Sequence, residues 1–364
     1  MSIYKLKLTA ITPLHIGTGE IYEPTNFVVD HNYLYEFDEM EFYKRLPQTM
    51  KDKFNQIVTQ NRPDSLFQIH SLVKNNFKVA QEVSRLKVPV TKGIQYDYNA
   101  KIGRMVQSEG KKGNTKKVFN RFQIAKTIRL VNSGKVYIPG SSIKGAISTA
   151  YQEAYYKKGY SIWKTNFGKP LDNIFKNLMI ADTKPLQTSS KIGYALNKER
   201  FEEDTQGPSN KLEVIMPGST FETTLKIRKY KANSHIDFNL LKKSCNDHYF
   251  SLFKQSFEPY TIFKGIEVDD FSNEYYPDDF YEKYKDFRLK ENQFMIRVGK
   301  HSGARAVTIE GMREIRVKVS GGGPKRKPFK WETLEEETTT WMFGERERDE
   351  SNLLPMGWVL CEVI

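Results

Sequence analysis

Residues 137–147 read Tyr137-Ile-Pro-Gly-Ser-Ser-Ile-Lys-Gly-Ala-Ile147, and this stretch decides how the chain folds. A short β-branched strand runs into Pro139-Gly140, which breaks it, and good helix formers follow from Ile143 to Tyr156. Either Ser141 or Ser142 can cap the helix start. Such a start presents unpaired backbone N–H groups, the positive end of the helix dipole and Lys144 in its first turn, a geometry suited to a phosphate. Gly140 and Gly145 lack a Cβ and would let a polynucleotide backbone come close. A nucleotide-triphosphate loop is excluded, because Gly145 is followed by Ala146 rather than by Lys and Ser or Thr. The competing reading is an ordinary capped strand-to-helix junction whose glycines serve packing.

Upstream of the motif lies the densest charge. From Asn99 to Leu130 the basic residues Lys101, Arg104, Lys111, Lys112, Lys116, Lys117, Arg121, Lys126 and Arg129 face one acid, Glu109, a net charge of +8. Glycines 103, 110 and 113 punctuate the first part, which cannot bury a core face and is expected to be mobile when unbound. Phosphate contacts from such a cluster are independent of sequence and sensitive to salt. Phe119 and Phe122 lie among the charges; Phe122 opens an alternating strand and is expected in the core. A second basic group, Lys325-Arg-Lys327, follows a run of glycines and reads as a connector.

The whole chain of 364 residues carries a formal charge of +13, so a polyanionic partner is favoured. Its 38% hydrophobic content, with 23 Phe and 20 Tyr, supports a substantial core. Cys245 and Cys361 give no disulfide framework, and the six histidines are scattered without ligand spacing, so neither a structural metal nor a cofactor is expected. No apolar run reaches the ~20 residues of a membrane span, and a cytoplasmic protein is expected.

Elsewhere the pattern gives an alternating strand over 3–10, with Tyr4, Leu6, Leu8 and Ala10 on one face, then the loop Thr12-Pro-Leu-His-Ile-Gly-Thr-Gly-Glu20. A hairpin over 27–37 turns at His31-Asn32, Asp38 caps a helix to Leu46, and helices over 52–60 and 64–77 precede an extended 85–90. Beyond the motif come strands at 178–182 and 192–197 and a hairpin of 212–215 with 221–230 across Pro217-Gly218. A helix started by Asp237 or Asn239 runs to about Phe257, and 266–286 reads as an acidic, aromatic connector. Strands near 294–298 and 358–363 flank the Gly299–Arg305 loop. The fold class is α+β with a largely antiparallel sheet, and a β-α-β-β-α-β ferredoxin-like core is the simplest candidate. A loose boundary at 232 separates an N-terminal domain (1–232, with an insertion at about 47–121) from a C-terminal one (233–364).

Ala10-Ile-Thr-Pro-Leu-His-Ile-Gly-Thr-Gly19 and the 137–147 motif, in this order and spacing, resemble the repeat-associated mysterious protein (RAMP) superfamily, and within it the fifth-subunit family of type III-A CRISPR effectors, the Csm complexes. The resemblance implies two degenerate ferredoxin-like (RRM-like) units and guide-RNA binding. It further implies a place capping the guide 3′ end, with the repeated backbone subunit and a host trimming nuclease as partners. Gly140, Ser141, Ser142, Lys144 and Gly145 would form the guide-backbone site, and Leu14, His15, Ile16, Gly17 and Gly19 the adjoining loop. The 99–121 insertion would lie over RNA. His301 and Arg305, with Lys300, sit in a glycine-flanked loop that would touch RNA or a neighbouring subunit. Relatives that cleave target RNA carry a loop aspartate in a Gly-Gly-x-Asp context; Glu20–Asp30 lacks that context, so target cleavage is not expected. The alternative is a metal-independent endoribonuclease with His15 as general base. Against it, no second acid–base partner is evident, and a role for His15 in ordering its own loop by hydrogen bonding is the stronger reading.

Overall fold

The structure is a computed structural model. It describes residues 1–60, 62, 64–103, 106–107, 117–118, 122–159, 175–199, 206–228, 236–257, 261–263, 266–267, 276–320, 330–335, 337–349 and 351–364. Its centre is an antiparallel sheet in the order Lys184–Gln187, Thr220–Ile227, Ser2–Ala10, Trp358–Val363, Gln293–Arg297, with Leu178–Ile180 also paired to Thr220–Ile227. The first strand alternates as its sequence demands: Leu6, Leu8 and Ala10 are buried while Lys5 and Lys7 are exposed. It is flanked on both sides, Leu8 lying opposite Phe221 in one neighbour and Cys361 in the other. Strands from before and after residue 232 therefore share one sheet and one apolar core.

Two helical segments pack with this sheet. Gly140–Lys157 buries Ile143, Ile147, Ala150 and Tyr151 at helical spacing. The second runs as Phe238–Cys245, a π-helical turn Asn246–Phe250 and Ser251–Gln255. Asp237 caps it, its carboxylate accepting from the N–H groups of Asn239 and Leu240. Tyr4 on the first strand stacks on Phe238 with ring centroids 3.9 Å apart.

A second sheet runs Gly17–Tyr22, Ile124–Thr127, Gln206–Ile215, Ser190–Glu199, Thr339–Gly344, Leu354–Pro355. Its Leu212–Ala125 pairing is parallel. A small sheet of Phe27–Asp30, Tyr33–Phe37 and Ser84–Pro89 carries four helices between residues 39 and 82 on a core of its own. There His31 and Asn32 both take positive φ at the predicted hairpin turn. Asp38 caps Glu39–Arg45 by accepting from Met40 and Glu41 N–H. The mixed α/β architecture, with largely antiparallel sheets, is as expected.

Two local expectations are corrected. Strands 206–215 and 220–227 do not form a hairpin; they belong to different sheets. Gly218, at φ +82°, turns a corner there, and its N–H donates to Ala10 O at 2.8 Å. The strand beyond is thereby delivered to the first strand, whose apolar face needs cover. Part of the acidic connector is a helix, Asp278–Tyr284, burying Phe280 and Tyr284. Asp278 and Asp279 sit in its first turn, where the helix dipole favours them.

Candidate nucleic-acid interface

The motif begins its helix at Gly140, two residues earlier than a Ser141 cap requires. Pro139 occupies the capping position and supplies no side-chain bond, so neither Ser141 nor Ser142 is the cap. Proline suits the boundary because its fixed φ and missing N–H cost the helix nothing there. Asp182 takes over instead, its carboxylate accepting from Gly140 N–H at 2.8 Å. Thr183 locks the segment before it, which forms no strand: Ile138 N–H donates to Thr183 Oγ1 at 2.8 Å, and Thr183 N–H to Ile138 O at 3.0 Å. Asp182 and Thr183 carry no sequence signal for this role, since they lie more than forty residues downstream.

The two glycines of the motif part company. A Cβ on Gly140 would collide with Ile180 O and lie 2.8 Å from the Ala181 backbone. Gly140 therefore serves packing, contrary to the expected role in admitting a nucleic-acid backbone. Gly145 is exposed, with nothing within 4 Å of where its Cβ would be. Ser141 is also exposed, and its N–H finds no acceptor among the described residues. Lys144 is half-buried and makes no ion pair among the described residues. The outer face of the first turn thus presents a free N–H, a hydroxyl, a cation and a bare Cα.

The His15 loop is built from below. His15 is buried, and its Nδ1 lies 2.7 Å from Glu213 O. That bond fixes Nδ1 as the donor and leaves Nε2 unprotonated, facing Gly17, where a Cβ would sit 3.1 Å from it. Burial holds the imidazole below its ordinary value, offset in part by the Glu213 bond. His15 O accepts from Lys300 N–H at 2.8 Å, and Gly299, at φ +92°, lets this second loop approach. Burial pushes His301 down to about 4, with His15 and Lys300 adding to it; its ring lies 4.1 Å from that of Trp341. Lys300 itself is exposed.

Beyond Lys300 the chain enters a short turn of helix, Ala304–Val307, whose first N–H groups are taken by Glu337. The Tyr249 hydroxyl lies 3.0 Å from Ala146 O and 3.1 Å from Ala306 O, joining this turn to the motif helix. The Lys300–Arg305 loop is thereby connected to the His15 loop at one end and to the Lys144 helix at the other.

The basic band divides. Lys116 and Arg121 lie outside the described residues, and of Lys117 only the backbone is described. Three of its described members are spent inside the fold rather than offered to RNA, Lys101 among them, paired with Asp97 and Glu347. Lys126 pairs with Glu36 and lies over the Tyr22 ring. Arg129 pairs with the fully buried Glu213 carboxylate and also reaches Ser190 and Gly134 O. The partners of Lys126 and Arg129 lie 90 and 84 residues away in sequence, so the charge count could not anticipate them. Arg305 is half-buried and donates to Gln255 Oε1. Phe122 is buried, as expected. Among the described residues no group of three His, Cys, Asp or Glu is placed to hold a metal, and no helix is long and apolar enough to cross a membrane.

With this geometry go clear likenesses. Residues 7–353 match the RAMP superfamily, and the chain belongs to it. Within that superfamily it is Csm5-like. It is 26% identical over 208 residues to the CRISPR system Cms protein Csm5 of Streptococcus thermophilus, a region covering 52% of this chain and 54% of that protein. It is 25% identical over 282 residues to Csm5 of Methanocaldococcus jannaschii, covering 67% and 60%. The chain thus spans somewhat over half the length of the curated relatives it matches. Among solved structures, it resembles a chain of the cryo-EM structure of a Csm–crRNA–target RNA ternary complex of a type III-A CRISPR-Cas system. There the TM-score is 0.60 at 17% identity, over 99% of this chain and 100% of that one. It also resembles the crystal structure of T. onnurineus Csm5, with a TM-score of 0.52 at 16% identity over 97% and 99%. At such identities these two structures speak for the fold alone.

Proposed function

We propose that this chain is a subunit of a type III-A CRISPR effector that grips guide RNA by its sugar–phosphate backbone and does not cut it, serving antiviral defence. One observation carries the reading: the first turn of Gly140–Lys157 offers solvent a Ser141 N–H and a Lys144 without partners among the described residues, beside an open Gly145. A phosphate on that turn would meet a donor and a cation at the positive end of a helix dipole. The Lys300 loop would extend the grip. Recognition of this kind ignores base identity, as a subunit that accepts guides of any sequence must.

The Csm5 likeness supports the finer assignment, a place at the guide 3′ end beside the repeated backbone subunit, with a recruited nuclease doing the trimming. The strand order of the main sheet supports a ferredoxin-like unit: the first strand, the motif helix, the Lys184–Gln187 and Thr220–Ile227 pair, the second helical segment and the last strand follow βαββαβ, with Gln293–Arg297 added at the edge. The nuclease alternative is disfavoured by His15, which is buried and committed to its own scaffold through Glu213 O and Lys300 N–H.

The test is Lys144→Ala, co-expressed with its partner subunits, with co-purifying RNA measured across a salt titration. Loss of one single-strand phosphate contact should flatten the slope of log affinity against log salt by about 0.7. Normal guide length and occupancy at every salt concentration would sink the site. RNA with 2′,3′-cyclic phosphate ends made by the native chain but lost in His15→Ala, with binding kept, would favour the nuclease instead.

A further inference from the structure

A cavity of about 550 Å³ opens between the helix Lys92–Lys101 and the turn at 345–349. It uses none of the residues of the motif helix. Lys92, Tyr96, Asp97, Arg346, Glu347 and Arg348 line it, and Tyr194 closes one wall, its hydroxyl donating to Asp97 at 2.8 Å. The size suits one nucleotide or another small ligand.

Its charge is uneven. Asp97 and Glu347 are both drawn onto Lys101, at 2.6 and 3.0 Å. Lys92, Arg346 and Arg348 are exposed and make no ion pair among the described residues. Tyr96 stands among them 74% exposed. An aromatic face beside two guanidinium groups and an ammonium matches a nucleobase joined to a phosphate, since bases stack on tyrosine and arginine holds phosphate oxygens bidentately.

The walls are fixed before any ligand arrives. Asp349 accepts from the N–H groups of Glu345 and Arg346, both at 2.7 Å, which sets the turn that carries the arginines. Gly93 lets that turn press on the helix: a Cβ there would strike Glu345 O and lie 3.0 Å from Arg346 Cα. Thr91 caps the helix by accepting from Ile94 N–H. Lys211, lodged between the rings of Phe122 and Tyr194 at 4.9 and 5.4 Å, backs the site with a further cation.

We infer that this cavity binds one unpaired ribonucleotide, its base against Tyr96 and its phosphate on Arg346, Arg348 and Lys92. The ligand is either a nucleotide within a bound strand or a free mononucleotide. Only the first source rests on the proposed RNA-binding function. The experiment uses the full chain, a short single-stranded RNA containing 4-thiouridine, and AMP as a separate probe. Photo-crosslinks should map to the peptides holding Tyr96 and Arg346–Arg348. Arg346→Ala with Arg348→Ala should weaken oligonucleotide binding about tenfold and flatten its salt slope by about 1.4. Tyr96→Ala should weaken binding about fivefold or more with the slope unchanged. Saturable AMP binding that both variants abolish, without oligonucleotide crosslinks here, supports the site with a free nucleotide as its ligand. If the pocket variants bind RNA and AMP as the native chain does, the inference is overturned, whether or not Lys144→Ala weakens RNA binding. Loss of a partner subunit from these variants with nucleotide binding intact overturns it too and makes the cavity a protein-docking site. Weakening by the pocket variants, with Lys144→Ala unaffected, would uphold the cavity and remove the motif site.

Discussion

At the scale of single residues, the two glycines of the motif make the sharpest contrast. Sequence treats them alike, since both flank a helix start and both lack a side chain. Only the fold reveals that Gly140 is pressed against the 180–181 backbone while Gly145 faces open space. Gly140→Ala should therefore destabilise by about 1–3 kcal/mol through overpacking, measured by urea unfolding. Gly145→Ala should stabilise by about 0.8–1.0 kcal/mol, because alanine is the better helix residue. A bulkier Gly145→Leu should leave unfolding unharmed yet lower RNA affinity, by blocking the face a backbone would approach. Unchanged affinity in Gly145→Leu would show that RNA does not pass over this turn. The helix start behind Pro139 was legible because a chain-breaking signal is local. Asp182 was not, because nothing near the motif announces a carboxylate arriving from another loop.

At the scale of elements, strand 206–215 holds the second sheet to its neighbours through one buried acid. Glu213 is fully buried, and it meets Arg129, the Tyr22 hydroxyl at 3.1 Å, Ser190 Oγ at 2.9 Å and Thr127 N–H at 3.4 Å. Three segments thus converge on one carboxylate, and its backbone carbonyl holds His15 as well. Arg129→Ala should cost about 3–5 kcal/mol, because it strands a charge in the interior, with a lower urea midpoint as the readout. A loss below about 1 kcal/mol would mean that the pair is merely superficial. Elements with local signatures were readable: the alternating first strand, the His31-Asn32 turn, and the helices begun by Asp38 and Asp237. The sheet exchange at Pro217-Gly218 was not. A turn dipeptide between two strand patterns looks like a hairpin whichever sheet the second strand joins.

At the scale of the whole molecule, Glu153 ties the motif helix to the remainder of the fold. Its side chain meets His248 at 2.9 Å, Lys157 at 3.0 Å, Arg313 at 3.8 Å and Glu310 N–H at 2.9 Å, while Glu310 shares Lys157. Burial alone would raise this carboxyl, but the His248 bond and charge, with Glu310 N–H and Lys157, outweigh it and hold it at about 2. A carboxyl that titrates lower in the folded chain than in the unfolded one stabilises fully above its ordinary 4.5. That contribution, on the order of 3 kcal/mol, drains away as pH falls from about 4.5 to 2. Glu153→Gln should accordingly lower stability at pH 7 and flatten the acid limb of the unfolding curve. An acid limb identical to that of the native chain would rule out this carboxyl as its source. The α+β class was legible from periodicity, but one sheet drawing strands from both sides of residue 232 was not, because strand partners this distant leave no mark on local pattern. The same pairing has a consequence for the order of events. Leu6 registers with Thr223 and Val363, so the first strand emerges from the ribosome long before either neighbour exists. Its two edges and its leucine face must be sheltered until those distant partners are made, which makes this a slow-folding topology dependent on nascent-chain protection.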